Sequence, residues 1–260
     1  MPEGHTIHRL ARDHTTWFAG QALTIKSPQG RFVQDAERIN GKTLKHVSAC
    51  GKHLFYQFTK GPMLHLHLGL YGKFRVHDNP APDPKGAVRI RIIGTERTLD
   101  LNGPNQCELI DRPAYDKILD RLGPDPLRDD ADPDRAWDRI TDSRAPIGQL
   151  LMDQSVIAGI GNIYRTEILW RQKIHPKHPG NELTRRQFNS IWKDAIKLMT
   201  DGEKYNKIIT VDLEGIKPAK LGITERTNIY KQKHCPTCNC VIHKFELASR
   251  SVFACPQCQK

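Results

Sequence analysis

Four cysteines restrict this chain more than any other feature. Cys235 and Cys238 form one Cys-x-x-Cys pair, Cys255 and Cys258 form a second, and all four fall within 24 residues. Paired motifs at this separation suit a single tetrahedral four-thiolate Zn2+ site. The segment around them, about 225–260, has few apolar residues and needs a staple. Binding of structural zinc, on the order of 10–16 kcal/mol, then serves as the folding free energy of that piece. Four protein ligands leave no open coordination position, so the ion is structural. The competing reading is a redox pair. Cys50, Cys107 and Cys240 are left over, Cys240 as a spare thiol. An odd total of seven, without a secretion signal, argues against a disulfide framework.

Charge supplies the next constraint. The 260 residues carry a net charge of +11. Residues 1–110 hold 15 basic and 9 acidic side chains, 111–150 hold 7 and 10, and 151–260 hold 18 and 10. Two basic blocks therefore flank an acidic stretch, as expected of two domains gripping a polyanion, or of a basic surface without a partner. Mean hydropathy is −0.58 and no apolar run reaches the length of a membrane span. The expectation is a monomeric cytoplasmic protein, nucleoid-associated if bacterial, with no membrane partner.

Periodicity divides the chain in two. Residues 5–18 read as an amphipathic helix, with Ile7, Leu10, Ala11, His14, Trp17 and Phe18 at helical spacing. His5 and His8 read as surface or packing histidines. From 22 to 101 short strands are expected over 22–27, 43–48, 52–58, 63–67, 74–77, 87–93 and 98–101, which suggests an antiparallel sandwich or barrel. His65 and His67 share one strand face, and a structural role fits them better than metal binding. Lys52 follows a turn at the start of a strand, where a lysine is usually just solvated. Leu70 and Tyr71 sit between Gly69 and Gly72, either packed inward or protruding as wedges for a base stack.

After the Leu122-Gly123-Pro124 break the period becomes helical. Short helices are expected over 145–153 and 162–172, with turns at 154–161 between them. A longer helix over 184–202 has a Thr184/Gln187 capping box and an apolar face of Phe188, Ile191, Trp192, Ala195, Ile196 and Met199. A helix that begins Gly161-Asn162 presents backbone N–H groups to a phosphate. The expected domains are 1–121, a β-sandwich; 122–144, a connector; 145–224, the helical domain; and 225–260, the zinc finger carrying Arg250 in its hairpin.

The N-terminus, Met1-Pro2-Glu3-Gly4, carries the most chemistry for its length. Removal of Met1 is expected before Pro2 and leaves a secondary amine. A terminal amine with a pKa of about 8 is roughly 20% neutral near pH 7.4, against about 0.1% for lysine. Attack on a sugar aldehyde carbon by such an amine gives an iminium, an electron sink that needs no further proton. Glu3 could supply the acid. The alternative is an ordinary frayed terminus.

Pro2-Glu3-Gly4, Gly51-Lys52, Gly159-Ile160-Gly161-Asn162-Ile163-Tyr164 and the terminal four-cysteine ribbon with Arg250 occur in one order from residue 2 to 258. Together they resemble the formamidopyrimidine-DNA glycosylase and endonuclease VIII family of bifunctional base-excision repair enzymes. Gly4, Leu70-Tyr71-Gly72 and Arg165-Thr166-Glu167-Ile168-Leu169-Trp170 resemble the endonuclease VIII branch. The resemblance implies an α+β architecture: an antiparallel β-sandwich with a flanking helix, then a helical domain with a helix–two-turn–helix and a four-cysteine zinc ribbon. It implies that double-stranded DNA containing oxidised bases or abasic sites is the partner. It also implies removal of oxidised pyrimidines and β,δ-elimination through a Pro2 Schiff base, with Glu3 protonating the ring oxygen, Lys52 assisting β-elimination and Arg250 assisting δ-elimination. Arg121 and Asn162 match DNA-binding positions, and Leu70 and Tyr71 match void-filling positions. The alternatives are the same chemistry on oxidised purines, or a zinc-dependent protein that binds damaged DNA without catalysis. The chain departs from the family at Thr6, where many members have glutamate, at Gly69, where some place glutamine, and in 102–108, which lacks an arginine.

Overall fold

Alternating apolar residues between Ala22 and Ile110 form strands, and their inward faces close a sandwich. The computed structural model describes residues 2–212 and 220–260. Met1, whose removal the sequence predicts, and residues 213–219 of the expected helical domain lie outside the described residues. The elements run α1 (Gly4–Phe18), β1 (Thr24–Lys26), α2 (Val33–Ile39), β2 (Leu44–Cys50), β3 (His53–Phe58), β4 (Met63–His67), β5 (Lys73–Asp78), β6 (Val88–Ile93), β7 (Arg97–Asn102), β8 (Gln106–Ile110), α3 (Arg112–Arg121), α4 (Asp134–Thr141), α5 (Ile147–Leu150), α6 (Asn162–Arg171), α7 (Arg185–Tyr205), β9 (His243–Leu247) and β10 (Arg250–Ala254). Two compact units result. One holds Pro2 and Ile7–Asp120; the other holds Glu3–Thr6 and Arg121–Lys260.

The first unit is an antiparallel sandwich of two four-stranded sheets, ordered β1-β6-β7-β5 and β2-β3-β4-β8. Ile25, Ile90, Ile92, Leu99 and Leu101 from one sheet share a core with Leu44, Val47, Leu54, Tyr56, Leu64 and Leu66 from the other. Ile7, Ala11 and Phe18 add the apolar stripe of α1. The sequence does not announce α2 or β8. In α2 only Ala36 and Ile39 are buried, and β8 offers just Cys107 and Leu109 to the core, so neither pattern rises above a loop.

The second unit is helical. Ala136 and Ile140 of α4 lie in its core beside Ile147, Ile160, Ile168, Phe188, Ile191 and Leu198. The stretch 122–144 is therefore not a bare connector, and α4, entered through Pro133, is part of this core. The capping box of α7 is present, Gln187 N donating to the Thr184 side chain. Ile196 differs from expectation: it is exposed, and Leu198 takes the buried position. Among the described residues no helix is long and apolar enough to cross a membrane.

One buried polar pair in the sandwich is testable. His14 is fully buried, and its Nδ1 lies 2.6 Å from the Tyr56 hydroxyl. Burial pulls its pKa from 6.5 down to about 3. The folded value is below the unfolded one, so the stability gained from a neutral ring is complete above about pH 6.5 and is lost as pH falls toward 3, at up to about 1.4 kcal/mol per pH unit. Urea unfolding of His14→Gln should show a shallower dependence over that window than the parent. Parallel curves would mean that the folded ring takes up its proton freely.

Candidate functional site

α6 organises the site. Its first N–H groups have no partner within the helix, and a side chain from the other end of the sequence supplies one. Glu3, fully buried, accepts from Gly161 N at 3.0 Å, Ile163 N at 3.0 Å and Tyr164 N at 3.5 Å. Gly4 N donates to Gly159 O at 2.8 Å, so backbone and side chain anchor the same segment. The close approach explains the glycines. A Cβ on Gly161 would lie 2.3 Å from Glu3 Cδ, and one on Gly4 would lie 2.8 Å from Gly159 Cα. His5 packs edge-on against Tyr164, with centroids 5.3 Å apart, which is the packing role expected of it.

The loop ahead of α6 is held by Gln154. Its amide donates to Met152 O and Ile160 O, and its carbonyl accepts from Gly159 N. Asn162, the first residue of α6, donates from Nδ2 to Ser251 O at 2.9 Å. Arg165, one turn on, has no exposed surface. It donates to Asn162 Oδ1, Gly148 O and Leu247 O. Burial, then the charge of Arg250, lowers its pKa to about 10, with Glu3 opposing, so the guanidinium stays charged at neutral pH. These bonds join the β9–β10 hairpin to the start of α6. Arg250 begins β10 after Ala248 and Ser249, both at positive φ, and is exposed.

The second unit thus brings Glu3, Asn162 and the hairpin of Arg250 to one helix terminus. Arg121, at the end of α3, is exposed. In the first unit Pro2 is half-buried. Lys52 follows Gly51 (φ 57) in the two-residue turn between Cys50 and His53, where a glycine at positive φ suits a tight hairpin. Leu70 and Tyr71 protrude, 52% and 85% exposed. Gly69 (φ 63) and Gly72 allow this: a Cβ on Gly72 would meet Leu68 O at 2.3 Å.

Cys235, Cys238, Cys255 and Cys258 place their sulfurs within 4.8 Å of one another, the one such metal-binding group among the described residues. Cys235–Cys258 is 3.8 Å and Cys238–Cys255 is 3.5 Å. Tetrahedral ligation at about 2.3 Å per Zn–S bond needs sulfurs about 3.8 Å apart, so the donors fit a closed four-thiolate site. Cys240 stays outside this group of four, although its sulfur lies 3.3 Å from that of Cys238 and 3.2 Å from that of Cys255. Among the described residues, His65 and His67 are not part of such a group. The Glu167 carboxylate, one turn beyond Ile163, accepts from the backbone N–H groups of Asn228, Ile229 and Tyr230 and pins the chain before the ribbon to α6. Gln154 carries no sequence signal, and Arg165 and Glu167 carry one only as part of the stretch that resembles the endonuclease VIII branch, which does not reveal that they are buried anchors.

Comparison with known proteins agrees with this layout. The family model of the formamidopyrimidine-DNA glycosylase N-terminal domain matches residues 1–107, and that of the formamidopyrimidine-DNA glycosylase H2TH domain matches 122–213. The chain is 48% identical to Endonuclease 8 1 of Mycobacterium tuberculosis, over 100% of both chains. It is 28% identical to a formamidopyrimidine-DNA glycosylase of Psychromonas ingrahamii, over 100% of this chain and 98% of the relative. In fold it matches Lactococcus lactis Fpg, solved in complex with DNA containing an abasic site, with a TM-score of 0.83 over 99% of both chains at 24% identity.

Two outcomes follow from the site. Gly161→Ala should lower the unfolding midpoint by an amount equivalent to about 1–3 kcal/mol, since backbone and a buried carboxylate must move apart; an unchanged midpoint would show that Glu3 is not seated there. Elemental analysis should find one tetrahedral metal ion per chain, lost in Cys255→Ser together with ordered ribbon signals. A metal-free chain whose ribbon amides stay protected would contradict the fit.

Proposed function

From its membership of the formamidopyrimidine-DNA glycosylase and endonuclease VIII family, the DNA glycosylases and AP lyases of base excision repair, we propose that this enzyme removes oxidised pyrimidines from duplex DNA and cleaves the strand by β,δ-elimination. The observation that carries the mechanism is the seat of Glu3. A carboxylate fixed by backbone N–H groups at a helix N-terminus cannot wander, and Pro2 is its covalent neighbour. Once Met1 is removed, the neutral Pro2 nitrogen attacks the anomeric carbon of the damaged nucleotide. The Glu3 carboxylate takes up the proton that the Pro2 nitrogen releases and passes it to the ring oxygen as the sugar opens, and the base departs with a proton from solvent. The resulting iminium acidifies the adjacent C–H, so the 3′ phosphate leaves by β-elimination and the 5′ phosphate by δ-elimination.

Lys52 and Arg250 are cations suited to anionic leaving groups. Asn162 and Arg121 are assigned to DNA contacts, and the protruding Leu70 and Tyr71 to the space left by the displaced nucleotide. The flipped base is read in a pocket. The metal is Zn2+: four soft thiolates in closed tetrahedral array favour it. Its chemistry is structural, and the four cysteines hold the hairpin that presents Arg250.

Borohydride trapping on duplexes bearing thymine glycol should give a covalent adduct with the parent protein, and none with Pro2→Gly or with a form that retains Met1. Adduct formation without Pro2 would assign the nucleophile to a lysine. A parent that binds the lesion without trapping would support the rival reading, a damage-binding protein without catalysis. Faster cleavage at 8-oxoguanine than at thymine glycol would move the specificity to purines. Arg250→Ala should retain β-elimination products, lose δ-products and bind DNA more weakly; unchanged products and affinity would remove Arg250 from the site.

A further inference from the structure

Four polar side chains on one sheet face have no part in the chemistry above. In the register of the sheet, His65 of β4 lies directly across from Glu108 of β8, and His53 of β3 directly across from His67 of β4. Their neighbours Leu54, Leu64 and Leu66 point into the sandwich core, so these four polar residues share the opposite face. His65 Nδ1 lies 2.9 Å from Glu108 Oε1, and His65 Nε2 lies 2.8 Å from His53 Nδ1. His53 and His65 are buried, whereas the Glu108 side chain is 49% exposed.

The order of protons follows from donor inventory. A carboxylate only accepts, so His65 Nδ1–H donates to it. A neutral His65 then offers a lone pair at Nε2, and His53 Nδ1–H donates there. Packing fixes the rings: Phe55 stacks on His65 at 5.0 Å with Tyr115 edge-on behind it, and His53 leans over His67 at 4.9 Å. The inner end of this chain is His53, covalently next to Lys52. Burial first, then the charges of His65 and Lys52, lowers the pKa of His67, which places the Lys52 ammonium in the same field.

A buried polar chain across an apolar sheet is costly unless each member is satisfied, and shape alone does not require it. We propose that Glu108, His65 and His53 are positioning residues for Lys52: they hold the Gly51-Lys52 turn and transmit the Glu108 charge through two imidazoles toward Lys52 and His67, acting on strand cleavage rather than on base release. The inference rests on Lys52 serving elimination, as proposed above. Among the described residues, the titratable and charged groups in this field include Glu108 and Cys107 from β8, His65 and His67 from β4, His53 from β3 and Lys52 from the turn, with Tyr115 of α3, under the Arg112 guanidinium, reaching it through Phe55.

Single-turnover assays separate the two steps: release of thymine glycol from a duplex, and cleavage of a duplex with a preformed abasic site. Glu108→Gln keeps an acceptor for His65 but removes the charge. His65→Phe keeps the stack on Phe55 but removes both hydrogen bonds. Each should slow abasic-site cleavage about fivefold or more while base release stays within about twofold. In Glu108→Gln the alkaline limb of the cleavage profile should move to lower pH, because losing a negative charge disfavours nearby cations. Should His65→Phe fold poorly, Glu108→Gln, altered at a half-exposed position, decides the matter. Cleavage and its pH profile unchanged in Glu108→Gln, or both steps falling in parallel with thermal stability, would overturn the relay while leaving the proposed function standing. A parent protein that cleaves no abasic DNA would overturn both.

Discussion

A carboxylate at a helix N-terminus is the interaction on which the rest of this structure depends. Glu3 is fully buried, and an ionised side chain in that position is tolerated only where fixed dipoles replace water. The backbone N–H groups of Gly161, Ile163 and Tyr164 do this without reorganisation, and the positive end of the α6 dipole adds up to about 2 kcal/mol. The arrangement needs a chain that can approach without side chains in the way. Gly161 and the facing pair Gly4 and Gly159 provide that, and Gly159 also takes a φ of 91° that other residues rarely adopt. The segment Glu3-Gly4, which would otherwise fray, is thereby fixed to the start of α6 and the loop ahead of it.

The same helix terminus also fixes the last segment of the chain. Arg165 and Asn162 reach backbone carbonyls of the β9–β10 hairpin, and Glu167 gathers three backbone N–H groups just before the ribbon. Among the described residues the core around the cysteines is small: Ile229, Ile242 and Phe253, with Trp170, Tyr230 and the sulfurs packed against them. Such a core orders little by itself, so the four cysteines, whose geometry suits a metal, and the anchors on α6 together hold the β9–β10 hairpin.

Much of this was legible in the sequence wherever a local rule was strong. The strand pattern of 43–101 follows from period-two alternation, the start of α7 from the Thr184/Gln187 box, and the metal group from cysteine spacing. The failures are equally physical. α2, α3 and α4 bury only one or two side chains each, too few to mark a period. Ile196 was placed inward by periodicity, but the core of the second unit selects Leu198 instead. Arg165 and Glu167 look like surface residues until the fold buries them, and Glu108, His65 and His53 meet only because register sets three strands side by side. Long-range pairing of this kind leaves no trace in local spacing.

In the proposed mechanism the Pro2 nitrogen, and no lysine, is the atom that bonds to the sugar. Peptide mapping by mass spectrometry of the borohydride-reduced protein–DNA adduct, after digestion of both components, tests it most directly. The sugar remnant should sit on the N-terminal peptide beginning at Pro2. A remnant on the peptide containing Lys52, or on any other lysine, would contradict it.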